Sequence, residues 1–210
     1  MVPNQLRRVL LNCRAIAPAV ARVSLRLMRS SLMPPTGAPK RQLSWRLIYQ
    51  ASPKAMGGDR LAFVAAGFGI KHALYAIDGE VKAMGTQAGG TPLSVGVEVP
   101  DTLDRTTHFV LGLEDMAVAT SGDYRHFVEV KGTRLSHTID PRRGAPLVNA
   151  PASVSVLAKT CMQADAMATA LMVMGLLDGH TFASKNGISA LFLTRKARTV
   201  DAIGTGLFVD

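Results

Sequence analysis

The sequence predicts an α+β fold of mostly antiparallel sheets with a few packed helices. Three observations carry that expectation. From residue 73 onward, short apolar or alternating runs recur between turn residues, as antiparallel strands do. Only a few helical segments punctuate those strands. One of them, Gln163–Met174, is rich in Ala and Met, contains neither Gly nor Pro, and stops at Gly175.

Taken in order, Arg60–His72 places Leu61, Val64, Ala65 and Phe68 on one face at helical spacing. Ala73–Ile77 reads as a buried strand. Asp78-Gly79 is a turn and Val81–Met84 a second strand, so the pair forms a hairpin. Gln87–Pro92 is a longer loop, and Ser94–Val99 alternates as the next strand. His108–Leu113 and Met116–Thr120 add two strands, and Phe127–Val130 and Arg134–His137 flank the tight Lys131-Gly132-Thr133 turn. Pro151–Leu157 is another strand. Beyond the long helix, Phe182–Lys185 gives a helical turn, Ile188–Leu193 a strong strand, and Thr199–Ala202 a partner beside it. No repeat with a period of about 20–50 residues is visible.

The 210 residues are 48% apolar and 19% charged, which suits one globular domain or two small ones and excludes a disordered or fibrous chain. Cys13 and Cys161 cannot build a disulfide framework, and no Cys/His cluster has zinc spacing. No apolar run reaches the roughly 18–20 residues of a membrane-spanning helix, so a soluble chain is expected.

The net charge of +9 is unevenly placed. Residues 1–58 hold ten Lys or Arg and no acid, whereas the remainder is close to neutral. Nucleic-acid binding needs its positive charge on a folded face interleaved with polar or aromatic contacts, and Trp45 and Tyr49 are the only aromatics here. No nucleic-acid partner is expected. Leu6–Met33, with six arginines among Leu, Val and Ala, has the form of a basic amphipathic helix broken near Pro18. It is like a targeting sequence in lacking acids, and contact with an anionic membrane surface is one reading; a start that is not native sequence is the other. Residues 1–53 are therefore set apart as a basic segment, disordered or not native.

Chemistry concentrates in Ser136-His137-Thr138-Ile139-Asp140-Pro141-Arg142-Arg143-Gly144-Ala145-Pro146, where the backbone must bend and its amides can face a ligand. His137 is the one histidine flanked by such a loop; a surface turn with an incidental histidine is the plain alternative. Asp165 and Thr169 stand four apart on the best helix, so their oxygens share a face. A carboxylate with a hydroxyl is a hard-oxygen pair suited to Mg²⁺. Equally, Asp165 could interact with the helix dipole and Thr169 bond back onto its own helix.

Read together, that loop and Ala164-Asp165-Ala166-Met167-Ala168-Thr169-Ala170-Leu171 resemble the FAD:protein FMN transferases, the ApbE-like flavin transferases. The likeness extends to Ala76–Gly85, to Ala119–Tyr124 and to Thr205–Phe208, and covers roughly residues 54–208. It implies an ApbE-like, T-fold-type architecture over 54–210 with its N-terminal part incomplete, as in a truncated or frameshifted relative. It also implies FAD as substrate, Mg²⁺ as cofactor, and transfer of the FMN moiety onto a Thr or Ser hydroxyl of an acceptor flavoprotein, releasing AMP. The alternative is a flavin-nucleotide-binding or inactive remnant lacking half of the FAD site.

By that likeness Asp165 and Thr169 hold the metal, with the Ala51 carbonyl completing the protein ligands. Lys54 contacts the flavin nucleotide and Ile139 packs near it. The upstream match departs from the family pattern: Ile48 stands at the leading aspartate, and Pro53 and Ala55 replace Ala and Gly. His137 is the candidate to take the acceptor hydroxyl's proton or to bond a phosphate oxygen. Arg142 is placed to offset phosphate charge, and the Asp78-Gly79 and Ser121-Gly122 turns to approach the nucleotide. The resemblance suggests a periplasmic or membrane-associated setting, although no clear export signal is legible.

Overall fold

The computed structural model describes residues 52–100, 107–123, 127–130, 133–148, 150–196 and 199–209. Residues 1–51 of the basic leading segment, Cys13 and Ala51 among them, lie outside the described residues. So does the Lys131-Gly132 part of the predicted tight turn.

Helix α1 (Pro53–Gly67) starts further upstream than the apolar periodicity suggests. Ser52 caps it, its hydroxyl accepting from the Ala55 amide, and Pro53 occupies the first turn, where a missing N–H costs nothing. The hairpin β1 (Ala73–Ile77) and β2 (Glu80–Met84) follows, turning at Asp78 (φ 50°) and Gly79 (φ 107°). Next come β3 (Leu93–Glu98) and β4 (Thr107–Leu113), paired as a two-stranded sheet, and β5 (Ala117–Gly122). Two small antiparallel pairs lie beyond: β6 (Phe127–Val130) with β7 (Thr133–Ser136), and β8 (Ile139–Asp140) with β9 (Ala145–Pro146). β10 (Ser153–Ala158) leads into α2 (Cys161–Met174) and α3 (Leu176–Lys185), and β11 (Ser189–Lys196) and β12 (Thr199–Thr205) complete the order. The predicted α+β class of antiparallel sheets and few helices is what the chain forms.

The main sheet has the order β1-β2-β5-β10-β11-β12, antiparallel throughout. Because side chains alternate across a strand, each strand feeds two cores. Val154, Val156, Ala190 and Phe192 face α2 and α3 with Leu171 and Met172. Ala83, Val118, Leu157, Leu191 and Leu193 face the opposite way, against Val97, Leu111 and Leu113 of the β3–β4 hairpin. The sheet is thus a middle layer between helices and a hairpin. Among the described residues no helix is long and apolar enough to cross a membrane.

Candidate active site

Strand alternation decides which side chains reach the helices. On β5, Val118 is committed to the hairpin core, so Ala117, Ala119 and Ser121 point to the helical side. On β2, Ala83 faces the hairpin core, which turns Glu80 towards α1. The site forms where these two strands meet the N-terminal half of α1 and the stretch of α2 that carries Asp165 and Thr169.

Two carboxylates tie the helices together reciprocally. Asp59 of α1 accepts from the Cys161 and Met162 amides (2.8 and 3.0 Å), satisfying orphan donors at the start of α2. Asp165 of α2 accepts from the Ser52 amide at 2.5 Å, at the cap of α1. Close approach is possible because Gly58 lacks a side chain: a Cβ there would stand 3.1 Å from Cys161 Sγ. Cys161 has no exposed surface, and burial, with the Asp59 charge beside it, pushes its thiol up to about 12.

Asp165 therefore does not sit in the first turn of its helix as a dipole partner; its carboxylate reaches across to α1. One turn further, Thr169 Oγ1 lies 2.9 Å from Ser121 Oγ, so that hydroxyl also engages a neighbouring element rather than its own helix. Both residues are half-buried. Lys54 forms an ion pair with Asp78 at the β1–β2 turn, and its charge also acts on Glu80 and Asp165; the hydrogen bond to Asp78 raises the ammonium pKa. Five predicted residues, Lys54, Asp78, Ser121, Asp165 and Thr169, are thus linked around one corner, with Gly79 in the turn beside Asp78.

Two members were not foreseen. Glu80 Oε1 accepts from the Ser52 hydroxyl at 3.3 Å, while Oε2 is buried without a hydrogen-bond partner among the described residues. Burial, and then the Asp165 charge, push the Glu80 carboxyl from 4.5 up to about 7. The available signals were an acid directly after the Asp78-Gly79 turn and a Ser-Pro pair with the form of a helix start.

The motif loop approaches from the other end of α2. Asp140 is buried and receives the Arg142 guanidinium through two bonds of 3.0 Å, which hold its carboxyl below the ordinary range. The same guanidinium donates to the Val173 carbonyl at 3.3 Å. Val173 is the next member of the i, i+4 column after Asp165 and Thr169, about 6 Å further along the axis. Arg142 thus anchors the loop to α2 while remaining largely exposed, and His137 and Ile139 are exposed on it. Among the described residues no group of three His, Cys, Asp or Glu side chains is arranged to hold a metal.

The sequence matches the ApbE family over residues 10–192. The chain belongs to the ApbE family. That match begins upstream of residue 54, where the motifs place the start of the likeness. A FAD:protein FMN transferase of Vibrio cholerae is 39% identical over 142 residues, covering 68% of this chain and 42% of the relative. The apo flavinyl transferase ApbE of Pseudomonas stutzeri superposes with a TM-score of 0.63 at 35% identity, covering 72% of this chain and 47% of that one. The ApbE protein of Thermotoga maritima gives a TM-score of 0.64 at 28% identity, covering 74% and 50%. This ApbE-family chain therefore spans about half the length of the relatives it matches, or less.

Proposed function

We propose that the corner built by Asp165, Thr169 and Ser121 is the metal side of a flavin-transfer site, acting on FAD with Mg²⁺ and an acceptor flavoprotein. The observation that carries this reading is the pairing on α2: a carboxylate and a hydroxyl one turn apart, both turned towards neighbouring elements. Asp165 Oδ2 is occupied by the Ser52 amide, whereas Oδ1 carries no hydrogen bond among the described residues. Thr169 can donate its proton to Ser121 and keep lone pairs for a cation. This all-oxygen donor set fits Mg²⁺, which keeps water and phosphate ligands and needs few from protein. A soft or imidazole-seeking metal is not favoured by it.

Bound there with the Ala51 carbonyl, the ion would offset charge on the diphosphate of FAD as it is cleaved. The chain's own residues do the rest. Asp165 and Thr169 would hold the ion in register with α2, and Lys54, tethered by Asp78, adds positive charge on the same side. His137, exposed on its loop, is the group to accept the proton of the attacking Thr or Ser hydroxyl. Arg142 fixes that loop to α2 through Asp140 and Val173. FMN passes to the acceptor oxygen and AMP leaves.

The test is incubation with FAD, Mg²⁺ and an acceptor flavoprotein, followed by in-gel fluorescence of the acceptor. Covalent flavin that disappears with Asp165→Ala supports the reading; full labelling by that variant defeats it. A second reading, reversible flavin-nucleotide binding without transfer, would give quenching of FAD fluorescence and no labelled acceptor.

A further inference from the structure

We propose that Glu80 is a positioning residue for the cation site: acting through the Ser52 hydroxyl, it sets the peptide whose N–H orients Asp165. This rests on the reading of Asp165 as the cation-holding carboxylate.

Ser52 makes three connections from one residue. Its amide donates to Asp165 Oδ2, its hydroxyl donates to Glu80 Oε1, and the same hydroxyl accepts from the Ala55 amide. A hydroxyl has one proton. With that proton committed to Glu80, the lone pairs of Oγ are turned to Ala55, and the cap of α1 has one orientation. The backbone of Ser52 is then fixed from two sides, by β2 through Glu80 and by α1 through the cap. Its N–H is held against one oxygen of Asp165, leaving Oδ1 for a cation.

Glu80 suits this task because it is itself immobile. It opens β2, whose register with β1 pairs Ile77 with Glu80, and β2 pairs in turn with β5, the strand that carries Ser121. Ser121 bonds Thr169, the other proposed metal ligand. The central sheet therefore reaches both ligands of α2 by separate routes: Glu80 to Ser52 to Asp165, and Ser121 to Thr169. A helix held at two points one turn apart cannot rotate about its axis without breaking one of them.

The proposal separates geometry from charge. Glu80→Gln keeps a carbonyl oxygen to accept from Ser52 but removes the negative charge, whereas Glu80→Ala removes both. Mg²⁺ affinity of the whole chain is measured by titration calorimetry, with thermal melting to confirm folding. The expected result is near-wild-type affinity for E80Q, about tenfold weaker binding for E80A and Ser52→Ala, and retained affinity for Ser52→Thr. The E80A/S52A double variant should be no weaker than either single variant, because the two act in one chain of contacts. Loss in E80Q equal to that in E80A, or additive losses in the double variant, overturns the proposal.

Amide hydrogen exchange by NMR provides an arm that needs no metal. The Ser52 and Ala55 amides should exchange about tenfold faster in E80A and unchanged in E80Q; unchanged exchange in E80A also overturns the proposal. If the wild-type chain binds no Mg²⁺, the metal reading fails, and the exchange arm still decides whether Glu80 orders Ser52. Should E80A fail to fold, S52A and S52T carry the same comparison.

Discussion

At the scale of single residues, Glu80 and Cys161 answer to the same burial with opposite visibility. Burial and the neighbouring Asp165 raise the Glu80 carboxyl to about 7, so the folded chain binds this proton more tightly than the unfolded one. Its contribution therefore favours folding below pH 4.5, and that benefit is withdrawn as the pH rises to and through 7. In metal-free buffer the urea midpoint of the wild type should fall across that window, and that of Glu80→Gln should fall less. Identical slopes would remove Glu80 as the source. Cys161, fully enclosed with its thiol pushed up to about 12, stays a neutral thiol at neutral pH. Iodoacetamide should leave it unmodified in the native chain and label it after denaturation, as read by peptide mass spectrometry. Rapid native labelling would mean that α1 and α2 part readily. None of this was legible in the sequence, since burial depends on which glycine stands opposite.

At the scale of elements, the strands were largely readable because alternation is a local property. β1 and β6 have the predicted bounds, and β2 through β5, β7 and β10 through β12 overlap the segments expected of them. Helices were read less well where glycine intervened. α1 was expected only from Arg60, where the apolar spacing starts, yet the helix begins at Pro53 and runs through Gly57-Gly58. The reason is tertiary: the cost of glycine in a helix, about 1 kcal/mol, is offset by the approach to Cys161 that Gly58 permits. α3 was expected only as the turn Phe182–Lys185 but begins at Leu176; a Cβ at Gly179 would stand 2.8 Å from the Leu171 carbonyl, so that glycine too answers to packing. β8 and β9, two residues each, carry no periodicity at all. The reciprocal caps make the α1–α2 corner a unit. Asp59→Ala should cost about 1 kcal/mol in chemical denaturation by freeing two amides of α2. Because it also unseats the helix that carries Asp165, Mg²⁺ affinity should drop with it; a pure stability loss with unchanged affinity would show that α2 is oriented by the sheet alone.

At the scale of the whole molecule, the candidate site was legible by chemistry and illegible by assembly. Asp165 and Thr169 could be paired from their spacing because one helix holds both, whereas Ser52 and Glu80 belong to the site only because β2 lies beside β5 in the sheet, with β3 and β4 intervening in the chain. The layering makes the final expectation asymmetric. Phe192 and Leu193 are adjacent in β11, both fully enclosed, yet Phe192 packs against the helices and Leu193 against the β3–β4 hairpin. Leu193→Ala should cost about 2–5 kcal/mol, through lost transfer energy and the cavity left behind. Phe192→Ala should cost about 3–5 kcal/mol by the same mechanism. Their effects on the site should differ. The Leu193 cavity opens on the face away from α2, so Mg²⁺ affinity should stay within about twofold of wild type under conditions where the variant is folded. The Phe192 cavity lies beneath α2 and α3, where a Cβ at Gly179 would stand 3.2 Å from the ring, and should weaken Mg²⁺ binding beyond what its stability loss explains. Denaturation and calorimetry on the two variants measure both quantities. Equal losses of affinity would show that the sheet transmits strain across its thickness, and that the helical layer does not by itself define the site.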